Sequence, residues 1–413
     1  MTITIKKPKD QDILFWVAYG LYLIFGMLST SFYYKYFMGT PYSIIKYLCV
    51  GLLVIRELMT QKYSIRSLAI GAVFIALAII TRSQSSVSTV VFILIFLFCV
   101  RNIDFKDVAR FSAFISAIIL IFVICSSYLG IIDNYVFTSE TRVRHYLGFR
   151  YSLFGPCFLF NITGLVLYAG GKKLKWRWFI LLGLVNFWMF AQTNSRLSFY
   201  LSLLMIAAFA FLKLRPDFFE RKRGFCWVMI ISFVLCFCIS LYFTVTYNSS
   251  VEWQNQLDTI LGSRLRLGQT SLLQSGVSFF GQRLELVGNG LDAFGNKNTN
   301  PYNYVDSFYI QILQRYGIIF SMVWIGLLTY TMYRCYRIKD YPMMVCLTFI
   351  ALHCVVDALS LSLSYHTFWL AGTLAISRGG VRLSELERVL DSLAKKKSRF
   401  TFNDCLLYAG GVL

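Results

Sequence analysis

Three arginines and a histidine crowd the segment Thr141-Arg142-Val143-Arg144-His145-Tyr146-Leu147-Gly148-Phe149-Arg150. Guanidinium stays charged at any working pH and grips phosphate oxygens through two parallel hydrogen bonds, so Arg142, Arg144 and Arg150, with His145, are suited to a diphosphate. The competing reading is a solvated loop that touches lipid headgroups. A second cationic group lies in Leu261-Gly262-Ser263-Arg264-Leu265-Arg266-Leu267-Gly268 and continues to Phe279-Phe280-Gly281-Gln282-Arg283. Arg264 and Arg266 are two apart. On a helix they diverge by about 200°, and only an extended or turning backbone aims both one way. Glu252, Asp258, Glu285, Asp292 and Asp306 share this stretch with Arg264, Arg266, Arg283 and Lys297, so salt bridging competes with ligand binding for at least one arginine.

Weaker patterns carry less. Gly288-Asn289-Gly290 with Gly295 has no preceding strand and reads as a turn before it reads as a phosphate loop. Asp10-Gln11-Asp12 has the spacing of a metal-binding carboxylate pair but falls in the amino-terminal segment. His353 and Asp357 are four apart in a late apolar run, on one helical face, where they either line a cavity or satisfy each other. No His-Glu-x-x-His, paired-cysteine or Ser-His-Asp arrangement stands out, and no metal or cofactor is expected.

The elements that must position these groups are apolar helices. Hydrophobic residues make up 57% of the 413 and charged residues 15%, with a mean hydropathy of +0.61, far from a soluble domain. Runs able or nearly able to cross a bilayer occur at 12–33, 42–59, 67–81, 87–100, 111–130, 152–170, 177–192, 197–212, 225–245, 316–333, 343–362 and 365–377. The expected fold is an all-α polytopic membrane protein of about twelve transmembrane helices. Residues 1–245 would hold nine of them and a smaller basic outer loop at 131–151. Residues 246–306 would form one large extracytoplasmic loop with short helices, and 307–377 the last three spans.

Basic residues concentrate on one set of connections, including Lys6, Lys7 and Lys9, Lys172 to Arg177, and Lys213 to Arg223, which predicts that both termini are cytoplasmic. The net charge of +20 is then a topology signal plus attraction to anionic membrane lipid, and nucleic acid is not an expected partner. The tail 378–413 spaces Leu383, Leu386, Leu390 and Leu393 as an amphipathic helix on the inner leaflet. The eleven cysteines sit mostly inside apolar runs and suggest no disulfide framework. A polar segment of roughly 60 residues exceeds an ordinary connection and points to a site on the outer surface.

Taken in order, four stretches resemble the Wzy-type polymerases of bacterial capsule and O-antigen repeat units, kin to the O-antigen ligases. Arg144-His145-Tyr146-Leu147-Gly148-Phe149 is similar to the family's Arg-x-x-Leu-Gly-Phe, and Thr193-Asn194-Ser195-Arg196 to its Thr-x-Ser-Arg. The third stretch runs from Gly262 to Gly290, and the fourth from Asp306 to Ile319. The resemblance implies a glycosyltransferase that joins two polyprenyl-diphosphate-linked oligosaccharides outside the membrane without metal or nucleotide sugar. The pathway's flippase and chain-length regulator are the implied protein partners. Arg144 and Arg264 match family arginines in the two outer loops and Arg196 ends the Thr-x-Ser-Arg stretch, while Arg266 and Arg283 extend the set by local charge.

Related ligases rely on a histidine in the large loop, and here that loop has none. Either a carboxylate takes the proton from the attacking hydroxyl, with Asp306, Asp292, Glu252 and Asp357 the candidates, or no single base is required. Trp253, Phe279, Phe280, Phe294, Tyr302 and Tyr304 either stack on sugars or fill the loop's own core. The alternatives are a flippase for lipid-linked saccharide, disfavoured by the lopsided loop and missing repeats, and a ligase-like transferase.

Overall fold

A computed structural model of the chain describes residues 12–60, 65–139 and 142–376. The chain divides into a body, Met1–Ala375, and a carboxyl-terminal stretch, Ile376–Leu413. The expected amphipathic helix of 378–413 and most of the Asp10-Gln11-Asp12 motif lie outside the described residues.

Helices dominate because most of the chain is apolar, and a backbone in an apolar setting must bond to itself. In order they are α1 (Ile13–Leu28), α2 (Thr40–Thr60), α3 (Ile65–Ser85), α4 (Thr89–Cys99), α5 (Phe105–Tyr128), α6 (Phe154–Gly170), α7 (Trp176–Thr193), α8 (Arg196–Leu214) and the short α9 (Phe218–Arg221). There follow α10 (Arg223–Ile230), α11 (Ser232–Val245), α12 (Glu252–Ile260), α13 (Arg264–Ser275), α14 (Phe308–Arg315), α15 (Gly317–Arg337), α16 (Tyr341–His353) and α17 (Thr373–Ile376).

Nearly every apolar run of the sequence carries a helix, but fewer are long and apolar enough to cross a membrane than the twelve expected. Among the described residues five are: Leu68–Ser85, Phe105–Tyr128, Phe154–Lys173, Arg196–Leu214 and Gly317–Arg337. A sixth arises if α10 and α11, bent by 55° at Ile231, form one broken span. The chain is thus consistent with a helical membrane protein. α6 is the most enclosed of the five, packed by α5, α7, α8 and α16. Small residues allow that closeness: a methyl at Gly164 would meet the Phe368 ring at 3.1 Å.

Two departures from the sequence reading matter for the site. The smaller basic segment at 131–151 contains a hairpin of β1 (Val136–Ser139) and β2 (Arg142–His145), registered Val136 with His145 and Ser139 with Arg142. Also, the late run 343–362 is not one helix. α16 stops at His353, and residues 354–366 run as turns and one 3-10 segment, Leu359–Leu361.

The polar segment 246–306 contains α12 and α13 and then an irregular strand-like return over the start of α15. Gln282 N–H donates to Arg315 O at 3.1 Å, Ile318 N–H to Ser278 O at 3.1 Å and Ile319 N–H to Phe279 O at 3.2 Å. Two glycines make this crossing possible. Gly281 and Gly317 adopt φ of +97° and +87°, and a Cβ on either would strike the backbone of the other's strand.

Candidate functional site

Asp258 sets the start of α13. Its buried Oδ1 accepts from Leu265 N–H at 2.9 Å and Arg266 N–H at 3.2 Å, satisfying donors that an N-cap side chain ordinarily takes. The residue in the cap position, Ser263, cannot do so because it is left-handed at φ +65° and its side chain makes no capping bond. Asp258 is therefore spent on backbone amides, although its charge made it a competitor for the arginines.

With the helix begun there, Arg264 and Arg266 diverge as their spacing requires. Arg266 is exposed, whereas Arg264 is held from two sides: Nε donates to Val356 O at 2.6 Å and Nη1 to Leu261 O at 2.6 Å. Its Nη2 lies 3.8 Å from Asp306 Oδ2, with both side chains 21% exposed. A cavity of about 20 Å³ opens behind Arg264, lined also by Ser240, Thr244, Ser307 and Val355.

Asp306 accepts from the Tyr302 hydroxyl at 2.9 Å. Burial pushes its carboxyl above the usual carboxylate range, Arg264 pulls it back, and nearby Asp357 adds to the rise. Tyr151, just after the hairpin, lies within electrostatic reach of Asp306, Arg144, Arg264 and Asp357, and burial raises its phenol. Through Tyr151 the arginine of the hairpin and that of α13 meet one carboxylate neighbourhood.

Arg144 sits on β2 with Arg142, two residues away on the same face of the strand. Burial holds the Arg144 guanidinium below its ordinary value, with Arg142 and Arg196 adding repulsion. Its buried Nε has no hydrogen-bond partner among the described residues. His145 and Arg142 are half-buried, and Arg196, which opens α8 after left-handed Asn194, is exposed, as is Arg283.

Three predicted residues are engaged elsewhere. Arg150 donates through Nη2 to Ser29 O at 2.7 Å and through Nη1 to Leu291 O at 3.3 Å, and it stacks on Tyr34 at 5.0 Å. It ties the end of α1 to both arginine-bearing segments. Asp292 is exposed and closes its own turn, accepting from Phe294 N–H and Asn296 N–H, each at 2.8 Å, and the Asn296 side chain holds its carboxyl below the usual range. Glu252 is exposed at the first turn of α12, where it accepts from Gln256 Nε2 at 3.1 Å.

Below Arg264 lies a buried polar group. Asp357 Oδ2 accepts from Cys157 Sγ at 3.0 Å and lies 3.7 Å from His353 Nε2, while Oδ1 accepts from Leu359 N–H at 2.7 Å. Ser198 Oγ stands 3.4 Å from His353 Nε2. His353 and Asp357 do meet, as their spacing suggested, but across a helix end rather than along a helix face.

Sequence reasoning missed Asp258, Tyr151, Tyr302 as a carboxylate partner, and Cys157. Only Tyr302 carried a local signal, four residues before Asp306. Among the candidate aromatics, Trp253, Phe279, Phe280 and Phe294 are exposed, not packed into a loop core. Compared with protein-family models, with curated proteins and with solved structures, the chain matches none of them.

Proposed function

We propose that the protein is a polysaccharide polymerase of the bacterial cytoplasmic membrane. It joins polyprenyl-diphosphate-linked oligosaccharide repeats on the outer face for capsule, exopolysaccharide or O-antigen, with both termini cytoplasmic. The observation that carries the reading is the setting of Arg264. Two backbone carbonyls fix its guanidinium, its Nη2 makes no hydrogen bond among the described residues, and a carboxylate of raised pKa stands beside it.

Glycosyl transfer from a diphosphate breaks the anomeric C–O bond with its electron pair passing to the leaving phosphate, while the acceptor hydroxyl forms the new bond and loses its proton. Fixed guanidinium groups at Arg264 and Arg144 stabilise the oxygens on which negative charge grows, an effect that is larger in the transition state than in the bound substrate. Asp306 is the carboxylate placed to take the proton. The exposed Trp253, Phe279, Phe280 and Phe294 offer faces for sugar rings. The resemblance of the 144–149, 193–196 and 306–319 stretches to Wzy-type polymerases supports the same reading.

The test is direct. Purified protein in lipid nanodiscs, given only lipid-linked repeats, is expected to release polyprenyl diphosphate and form dimeric and longer saccharide. Movement of the repeat across a vesicle membrane without bond formation would instead favour the flippase reading. Transfer to a non-repeat acceptor alone would favour a ligase-like transferase.

A further inference from the structure

We propose that Cys157, His353 and Asp357 form a binding site for a divalent metal ion of zinc type. The three come from separate places: α6, the last residue of α16, and the turn beyond it. Their ligand atoms all lie within 4.8 Å of one another and all three residues are buried. The separations from Asp357 Oδ2 are 3.0 Å to Cys157 Sγ and 3.7 Å to His353 Nε2. Tetrahedral zinc, with sulfur at about 2.3 Å and nitrogen or oxygen at about 2.0–2.2 Å, needs donor separations of roughly 3.4–3.6 Å, so the sulfur–oxygen pair would open by about half an ångström and the nitrogen–oxygen pair would close slightly on the ion.

Chemistry selects the ion. One thiolate, one imidazole and one carboxylate is a mixed soft and borderline set that suits zinc and excludes magnesium or calcium, which take oxygen alone. Binding expels the thiol proton to solvent, and the thiolate and carboxylate together then cancel the dication. That neutrality matters in an apolar interior, where an uncompensated charge is costly. Ser198 Oγ, 3.4 Å from His353 Nε2 and 3.9 Å from Cys157 Sγ, stands beside the same point and can hold a water in the fourth position. His353 stacks on Phe160 with centroids 4.7 Å apart, which orients the ring.

The ion's role would be positional. It would join α6 to the 353–357 turn, whose Val356 carbonyl holds Arg264 Nε at 2.6 Å. The site itself does not rest on the polymerase reading, and its test needs no saccharide.

The full-length protein in nanodiscs, stripped with a chelating resin, is titrated with Zn²⁺ and, separately, with Co²⁺. About one equivalent of Zn²⁺ should remain after desalting. Co²⁺ should give the near-ultraviolet absorption of a thiolate-to-metal transfer. Cys157→Ser should abolish that band, and His353→Gln should weaken Zn²⁺ binding by about ten-fold or more. Cys346→Ser, at another buried cysteine, should change neither. A wild-type protein with no thiolate–Co²⁺ band, or a Cys157→Ser protein that binds like wild type, would overturn the site and leave a plain hydrogen-bonded cluster. The wild-type Co²⁺ spectrum decides even where a variant fails to fold. Absence of metal would leave the polymerase assay untouched, and absence of polymer would leave the metal result standing.

Discussion

Arg264 at the start of α13 and Asp306 at the end of the polar segment face each other at 3.8 Å, close enough for the guanidinium to pull the carboxyl down and too far apart for a hydrogen bond. A tight bidentate pair would saturate the guanidinium fork. Here the two carbonyls take Nε and Nη1, and Nη2 makes no hydrogen bond among the described residues.

Asp306→Asn should lower polymer formation by about 10²–10⁴-fold while leaving the protein folded. In the wild type the acid limb of the pH–rate profile should lie above the range of an ordinary aspartate, because burial raises this carboxyl and a base works only when ionised. The sign for stability is opposite. A carboxyl with a folded pKa above its unfolded value contributes stability at low pH that is lost as pH rises through the folded pKa. Acid inactivation without unfolding, followed by activity and circular dichroism on one sample, is therefore the expected pattern. Coincident loss of both would remove Asp306 as the base.

Arg264→Lys should lose at least about ten-fold in activity, since an ammonium cannot span Val356 O and Leu261 O and still present a donor toward Asp306. Arg264→Gln should also move the acid limb to higher pH, because it deletes the cation that pulls the Asp306 carboxyl down. An unchanged limb in Arg264→Gln would break the link between the two residues.

Arg144 and Arg150 lie six residues apart and should part company on mutation. Arg150→Ala removes charged hydrogen bonds to Ser29 O and Leu291 O and should cost about 2–3 kcal/mol of stability, read as a lower melting temperature in detergent, with activity per folded molecule retained. Arg144→Ala, which loses no hydrogen bond at its Nε, should melt near wild type and make no polymer.

Gly281→Ala and Gly317→Ala should each destabilise by more than about 1 kcal/mol, because positive φ and backbone contact coincide at both. Gly183→Ala, in α7 with open space around it, serves as the control and should be neutral or slightly stabilising. Limited proteolysis between 276 and 306 should increase in the first two variants only.

Composition and run length were enough to establish the class of this protein. Apolar runs dictate helices because burying a backbone in an apolar setting leaves it few other ways to satisfy its amides and carbonyls. The spacing of Arg264 and Arg266 likewise determined that a helix must separate them, and the 246–306 stretch declared itself by polarity alone. Local chemistry could not reach further. Whether an arginine is free to bind depends on which carbonyls approach it: Ser29 and Leu291 come from remote segments to occupy Arg150, while Asp258 is taken by the amides of α13 and so leaves Arg264. The break after His353 was equally invisible, since residues 354–362 are as apolar as the helix before them. α16 packs against α6, α8, α11 and α15, and the turn beyond it brings Asp357 to Cys157, 200 residues earlier in the chain. Such pairings are contacts between distant residues, and no local periodicity encodes them.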